Sequence, residues 1–283
     1  MPDSETSLYG VFGNPIRHSL SPWMHNAAFG RFHKNAVYLA FEIEAHSLGL
    51  AFEGIRSLGI KGVNLTIPFK EEAIKFVDEI PEDLDRSIGA VNTVVNREGK
   101  LLGYNTDALG FLMSLKEELG FQPEGRNILV LGAGGAARGV SFALAFAHAS
   151  KIFIHNRTRE RTTGLAYYLS EAFPQMAIAP FFDFAELKNE KVDLVVNATS
   201  CGMKGNEAPP MDLHVFNSKV SVYDLVYSPN ETLFLKEAKK LGLPLANGLG
   251  MLVNQGALAF ELWTGQKEGV RDLMRDAVKA CLK

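Results

Sequence analysis

Lys70 and Asp107 are the two residues of this sequence best suited to move a proton. Lys70 closes "VNLTIPFK" and Asp107 stands in "GYNTDALG", each where a β-forming run gives way to a helical pattern. An ammonium can donate a proton to a carbonyl oxygen, and an adjacent carboxylate can orient it and hold a substrate hydroxyl. Taken singly, each has a plainer explanation. Lys70 reads as a solvated flank beside Glu71 and Glu72, and Asp107 reads as the N-cap of the helix that follows. Asn64 and Thr66 in "VNLTI" and Asn92 in "GAVNT" lie at similar strand ends. Strand ends of an open α/β sheet are where ligands bind, so the set taken together fits proton delivery during reduction of a ketone.

Such a reduction needs a hydride donor, and "ILVLGAGGAARGV" supplies a place for one. It is a strand running into G-x-G-x-x-A (Gly132, Gly134, Ala137) and then a helix. The first glycine permits the tight turn, the second lets a pyrophosphate approach the backbone, and the alanine keeps helix and sheet close. The helix N-terminus then faces the anion. The next strand ends "FIHNRTRER", with Asn156, Arg157, Thr158 and Arg161 where an NAD-binding fold usually places Asp or Glu. Guanidinium groups and a hydroxyl donate to a 2′-phosphate that a carboxylate would repel, which favours NADP over NAD.

These residues need elements to hold them, and the chain alternates β-rich runs with helical patterns from end to end. "LYGVFG", "AVYLAFEI" and "KGVNLTI" read as strands, with helical patterns beginning near Pro22, Ser47 and Pro68. "AVNTVVN" and "KLLGYN" flank a hairpin turn, "REG", and "ALGFLMSLKEELG" is an amphipathic helix ending at Gly120. A second series follows: "RNILVLG", "KIFIHN", "VDLVVNA", "VSVYDLV" and "LPLANG" as strands, with two final helical patterns after residue 250. Strand–helix alternation implies parallel sheets with helices on both faces. In "IRHSLSPW", Ser21 and Pro22 read as N-cap and first helical residue. Ser19, two residues earlier among Arg17, His18, His25 and Asn26, is left without a job by capping alone.

Bulk properties narrow the class. The 283 residues suffice for two ordinary domains, and 47% hydrophobic with 22% charged residues is ordinary for a globular chain. A net charge of -3 gives no general attraction to nucleic acid or anionic membranes. The opening "MPDSETSLYG" lacks a basic segment followed by an apolar one, and no apolar run is long enough to span a bilayer. Cys201 and Cys281 make neither a disulfide framework nor a metal cluster, and the histidines lack metal-ligand spacing. A cytoplasmic, metal-free protein is expected. No G-x-S-x-G elbow argues for a serine hydrolase.

The ordered motifs "GNPIRHSLSPWMHN", "NLTIPFKEEA", "GAVNT", "GYNTDALG", "GAGGAAR", "NRTRER", "NATSCGM", "DLVYSPNET" and "GLGMLVNQGALAFELWTG" run nearly the whole length. Together they resemble the shikimate dehydrogenase family, whose members interconvert 3-dehydroshikimate and shikimate with NADP on the route to chorismate and the aromatic amino acids. The resemblance implies two α/β domains with a cleft between them. A mostly parallel-sheet substrate domain would span 1–107, completed by C-terminal helices at 251–283, and a Rossmann-type NADP-binding domain would span 108–250. It implies that Lys70 and Asp107 form the catalytic pair. Ser19 and Ser21 would hold the substrate carboxylate with Tyr227 nearby, which gives Ser19 its job at a helix N-terminus. Asn64, Thr66, Asn92 and Gln255 would read the ring hydroxyls.

On the cofactor side the resemblance implies that Gly132, Gly134, Gly135 and Ala136 line the pyrophosphate turn and that Asn156, Arg157, Thr158 and Arg161 bind the adenosine phosphate. Thr199 would face the nicotinamide half, with Gly248 and Met251 at the nicotinamide itself. Met251 and Gln255 are four apart, so one helix face can carry a cofactor and a substrate contact. Tyr104 receives no role, and Cys201 reads as a bystander. The expected partner is a small molecule, with a homodimer as the candidate assembly. Three rivals remain: an NAD-preferring quinate/shikimate dehydrogenase, a non-catalytic NADP-binding regulatory module of the same fold, and a folate-type dehydrogenase. "NRTRER" argues against the first and the presence of both Lys70 and Asp107 against the second. The third has no evident need for a carboxylate-and-polyol set.

Overall fold

The computed structural model describes residues 2–205, 207–209, 211–216 and 220–282. The chain divides into two compact units, 1–110 with 253–283 and 111–252.

The first unit is built on five strands: β1 (Ser7–Gly13), β2 (Ala36–Glu42), β3 (Gly62–Leu65), β4 (Thr93–Arg97) and β5 (Lys100–Tyr104). Their order is β2-β1-β3-β4-β5, parallel from β2 to β3 and antiparallel thereafter. The antiparallel hairpin follows from its short turn, where Glu98 and Gly99 adopt positive φ. Helices α1 (Ser21–Arg31), α2 (Leu48–Ser57) and α3 (Asp83–Ile88) connect the strands. Phe12, Leu48, Phe52, Ile55, Val63, Leu65, Phe69, Val91 and Val94 form one core cluster. Each such side chain contributes roughly 1.5–3 kcal/mol by its burial.

The C-terminal segment completes this unit. It holds the second part of α8 (Leu249–Thr264) and α9 (Val270–Cys281), which packs on α1. Trp263 Nε1 donates to the Val94 carbonyl at 3.0 Å. The indole lies so close to β3 that a Cβ on Gly62 would sit 2.2 Å from its nitrogen.

The second unit carries six parallel strands: β6 (Asn127–Leu131), β7 (Lys151–His155), β8 (Ala177–Pro180), β9 (Leu194–Asn197), β10 (Ser221–Asp224) and β11 (Leu245–Asn247). Their order is β11-β10-β9-β6-β7-β8. Renumbered within the unit this is 3-2-1-4-5-6, the order of dinucleotide-binding sheets, with its switch point between β6 and β9. Helices α5 (Gly135–Phe146), α6 (Arg159–Ala172) and α7 (Leu233–Lys240) accompany the strands, and Leu129, Phe153, Val195, Val222, Phe234 and Leu235 lie in its core. Strand β8, "AIAP", is not among the sequence expectations. It is a short edge strand ending in proline, where no further ladder donor is needed.

The boundary between units falls inside α4 (Thr106–Leu119) and inside α8.

Candidate active site

Lys70 and Asp107 meet. Lys70 Nζ donates to Asp107 Oδ2 at 2.6 Å, with side chains 16% and 7% exposed. The helix expected to open at Pro68 is absent. Phe69 N donates to Thr66 O and Ala73 N to Phe69 O, closing separate turns before a short 3-10 helix at Glu72–Phe76. Phe69 and Ala73 are buried in the core, which pulls the backbone into turns rather than a continuous ladder. Val91 N then donates to the Lys70 carbonyl at 2.8 Å, tying this turn to the approach of β4.

Asp107 is not the N-cap that the sequence reading expects. Helix α4 begins at Thr106, and Asn105 caps it through a bond from Ala108 N to Asn105 Oδ1 at 3.2 Å. Asn105 Nδ2 donates to Ala90 O at 2.8 Å, so the cap is itself anchored. Its neighbour Asp85 is buried and accepts from the Asn105 N–H, while desolvation pushes its carboxyl up to about 6. With capping done by Asn105, the Asp107 carboxylate is free to pair with Lys70.

Behind the pair lies a buried polar chain. Thr106 N donates to Asn92 Oδ1 at 2.7 Å, and Asn92 Nδ2 donates to Thr106 Oγ1 at 3.0 Å and to Gln255 Oε1 at 3.5 Å. Gln255 reaches Asn92 because α8 lies against α4 here: a Cβ on Gly110 would be 2.8 Å from Gln255 N. Thr93 Oγ1 joins Thr106 Oγ1 at 3.1 Å and accepts from Asn64 Nδ2 at 3.0 Å. Asn64 Oδ1 accepts from the Tyr38 hydroxyl at 2.7 Å. Both ends of the Asn64 amide are thereby held inside the protein. Thr66 follows the end of β3, its amide bonded to Phe12 O.

The serines also differ in part from expectation. Ser21 is the first residue of α1 rather than its N-cap, which is Leu20, and Pro22 is the second helical residue. No side chain caps the helix from Leu20; instead Ser21 N donates to Ser19 Oγ at 3.3 Å. Ser19 therefore satisfies the donor that the missing cap leaves. Ser21 in turn bonds the Tyr38 hydroxyl, a phenol raised well above its ordinary pKa by burial. Tyr38 connects the serines to Asn64, and sequence reasoning passed over it because an aromatic residue on β2 reads simply as core. Beside it, His25 is completely buried, stacked on Tyr38 at 4.4 Å and 9°.

In the second unit, Gly132 follows β6 with φ of 121°, and a Cβ there would lie 2.8 Å from Ala198 O. Gly134 is the N-cap of α5 and has no side-chain cap, with open space around its missing Cβ. Gly135 and Ala136 form the first turn, so their N–H groups are unpaired helix-end donors of the kind a pyrophosphate takes. At the end of β7, Asn156 Nδ2 donates to Thr158 O at 3.2 Å, and Thr158 is the N-cap of α6. Arg157 and Arg161 are exposed at that helix start. Cations there oppose the helix dipole, which an anionic ligand would offset. An uncapped glycine turn followed by exposed guanidinium groups fits a phosphorylated dinucleotide.

Beyond β9, Thr199 Oγ1 donates to Asn197 Oδ1 at 2.6 Å and accepts from Cys201 N at 3.1 Å. Asn197 Nδ2 donates to Asp224 Oδ1 at 2.8 Å. Asp224 also accepts from Val226 N at 3.0 Å and Thr232 Oγ1 at 2.6 Å, while burial raises its carboxyl to about 6. Neither Asn197 nor Asp224 stood among the expected residues; at strand ends they read only as polar punctuation. Tyr227 follows on the same turn, its hydroxyl raised by burial. A Cβ on Gly248 would lie 1.9 Å from Leu225 O, so only glycine lets α8 start there. Met251 is buried, and its backbone bonds the Tyr223 hydroxyl, which also contacts Ser114 Oγ at 2.7 Å.

Three family models match the chain: the shikimate dehydrogenase substrate binding domain over 11–94, shikimate / quinate 5-dehydrogenase over 115–204, and the shikimate 5'-dehydrogenase C-terminal domain over 248–279. The NADP(+) shikimate dehydrogenase of Methanopyrus kandleri is 48% identical over 280 residues, 98% of this chain and 96% of that one. The Thermus thermophilus shikimate 5-dehydrogenase, solved with NADP(H) and shikimate, is 39% identical with a TM-score of 0.86 over 98% of this chain and 100% of its own. The 5-ketofructose reductase of a Gluconobacter species, solved ligand-free, is 33% identical with a TM-score of 0.86 over 99% and 100%. With the paired lysine and aspartate in the first unit and the glycine turn in the second, these similarities place the chain in the shikimate dehydrogenase family.

Proposed function

We propose that this protein is an NADP-dependent shikimate dehydrogenase, reversibly reducing 3-dehydroshikimate to shikimate. The observation that carries the reading is the Lys70–Asp107 pair joined through Thr106 to the buried chain Asn92–Gln255 and Asn64–Tyr38. The bound cofactor supplies the hydride that reaches the C3 carbonyl carbon. Lys70 gives the carbonyl oxygen a proton in reduction and takes it back in oxidation. Asp107 aims the Lys70 ammonium and accepts from a ring hydroxyl. The ammonium acts mainly in the transition state, as negative charge grows on that oxygen.

Asn92, Gln255, Thr66 and Asn64 form the polyol-reading side of the site. Ser19 and Ser21, at the start of α1, receive the carboxylate, where the helix N-terminus adds its own attraction, and Tyr227 is a further substrate residue. Gly132, Gly134, Gly135 and Ala136 cradle the pyrophosphate. Asn156, Arg157, Thr158 and Arg161 hold the 2′-phosphate, and Thr199, Gly248 and Met251 attend the nicotinamide. Residues 1–107 and 251–283 thus hold substrate, and 108–250 hold NADP.

We also propose a homodimer and a cytoplasmic setting. Trp23 on α1 is 62% exposed and Leu39 lies on the edge strand β2, both apolar surface available to a second copy. Cys201 and Cys281 are free thiols, in keeping with a reducing compartment. Among the described residues no helix is long and apolar enough to cross a membrane.

The test mixes purified protein with shikimate and NADP and follows nicotinamide reduction. Parallel arms use NAD, quinate, and 5-ketofructose with NADPH. Turnover of shikimate with NADP is expected. Silence there with turnover of 5-ketofructose would keep the reductase and overturn the substrate, and binding without any turnover would leave an NADP-binding module.

A further inference from the structure

At the carboxyl edge of the second sheet, one carboxylate ties the ends of β9 and β10 to the start of α7. Asp224 is fully buried at the end of β10, and its two oxygens accept from three different segments. Oδ1 takes Asn197 Nδ2 at 2.8 Å, from the end of β9, and Val226 N at 3.0 Å, on the turn leading to Tyr227. Oδ2 takes Thr232 Oγ1 at 2.6 Å, and Thr232 is itself the N-cap of α7, accepting from Leu235 N at 3.3 Å.

The consequence runs through Asn197. Because Asp224 can only accept, the Asn197 amide must turn its nitrogen toward Asp224 and its oxygen the other way. That nitrogen also donates to Cys201 O at 3.1 Å. The oxygen then accepts from both Thr199 N at 3.1 Å and Thr199 Oγ1 at 2.6 Å. With its hydroxyl proton given to Asn197 and Cys201 N bonded to its oxygen, Thr199 is fixed in one rotamer. The loop it fixes, Ala198–Cys201, is the one whose backbone passes the glycine turn, with Ala198 O 2.8 Å from where a Gly132 Cβ would stand.

We infer that Asp224 is the positioning residue of the nicotinamide-side loop, setting the Asn197 amide so that Thr199 and the backbone beside Gly132 are shaped for NADP before it binds. This rests on the reading of Thr199 as a cofactor residue. Preorganisation of this kind appears as affinity, because ordering the loop no longer opposes binding. Removing the carboxylate frees the Asn197 amide to flip and Thr199 to leave its rotamer, while the substituted side chain itself meets neither substrate nor cofactor.

The experiment measures KM and Kd for NADP on the intact protein for Asp224→Ala, Asp224→Asn, Thr232→Val and Thr199→Val, with melting temperatures alongside. Asp224→Ala is expected to raise KM for NADP about tenfold, a loss of one ordinary buried hydrogen-bond set. Asp224→Asn keeps an acceptor oxygen for Asn197 and should recover most of that affinity. Thr232→Val, a same-shape change that leaves the carboxylate, should raise KM about threefold and serves if Asp224→Ala does not fold. A lowered melting temperature with wild-type KM for NADP in Asp224→Ala or Thr232→Val would make the network structural only and overturn the inference. Equal weakness of the Ala and Asn variants would overturn it too. If Thr199→Val weakens NADP while Asp224→Ala does not, the inference alone fails; if Thr199→Val binds NADP normally, the reading beneath it fails as well.

Discussion

Lys70 Nζ and Asp107 Oδ2 stand 2.6 Å apart although 37 residues separate them in the chain. Lys70 sits on a turn pinned by Phe69, and Asp107 stands in the first turn of α4, whose cap is Asn105. The pair is therefore held by the fold rather than by local sequence. Lys70→Ala should lower kcat by about 10² or more, the usual scale for a positioned acid–base group, with a smaller change in KM for shikimate. Steady-state kinetics decide it, and near-normal kcat would remove Lys70 from the chemistry.

Tyr38→Phe tests the support behind the substrate side. The Tyr38 hydroxyl donates to Asn64 Oδ1 at 2.7 Å, and Asn64 is only 4% exposed. Leaving that buried oxygen without its donor costs about 1–3 kcal/mol. The melting temperature should fall by a few degrees and KM for shikimate should rise severalfold, while KM for NADP holds. An unchanged KM for shikimate would mean that Asn64 keeps its pose without Tyr38.

Much of this was legible in the sequence, and the residues that were not share a cause. The strands β1, β6, β7, β9 and β10 announce themselves as β-branched and aromatic runs. The glycine turn carries a backbone requirement that Gly132 meets with a positive φ. Caps were harder, because several polar residues crowd each helix start. Asn105 rather than Asp107, and Ser19 rather than Ser21, supply the side-chain acceptors. The contacts that give Tyr38 and Asp224 their roles join residues distant in sequence, Asn64 at 26 positions and Asn197 at 27. No local pattern encodes such a pairing.

Arg157 and Arg161 stand exposed where α6 begins, so their contribution can be removed with little effect on folding. Each charge-assisted bond to a 2′-phosphate is worth about 1.5–3 kcal/mol. Arg157→Ala with Arg161→Ala should therefore cost NADP at least about tenfold in kcat/KM while leaving NAD nearly unchanged. The ratio of the two cofactors' kcat/KM values measures it. Equal losses for NADP and NAD would mean that these arginines do not read the extra phosphate.

His25 makes a prediction about acid stability. It is completely buried, neither ring nitrogen has a hydrogen-bond partner among the described residues, and desolvation lowers its pKa from 6.5 to about 3. Between those values the unfolded chain holds a proton on this ring that the folded chain refuses. Stability contributed by neutral His25 is complete above pH 6.5 and is lost as pH falls toward the folded value, by up to about 1.4 kcal/mol per pH unit. His25→Phe keeps a ring against Tyr38 and cannot take up that proton. Urea denaturation at pH 7, 6 and 5 should show the stability of His25→Phe gaining on the wild type with each step down. The gain should total about 2 kcal/mol by pH 5. Parallel stability curves would mean that the imidazole finds a way to be protonated inside the fold. The stacked site between Tyr38 and Trp263 would then be wetter than its geometry implies.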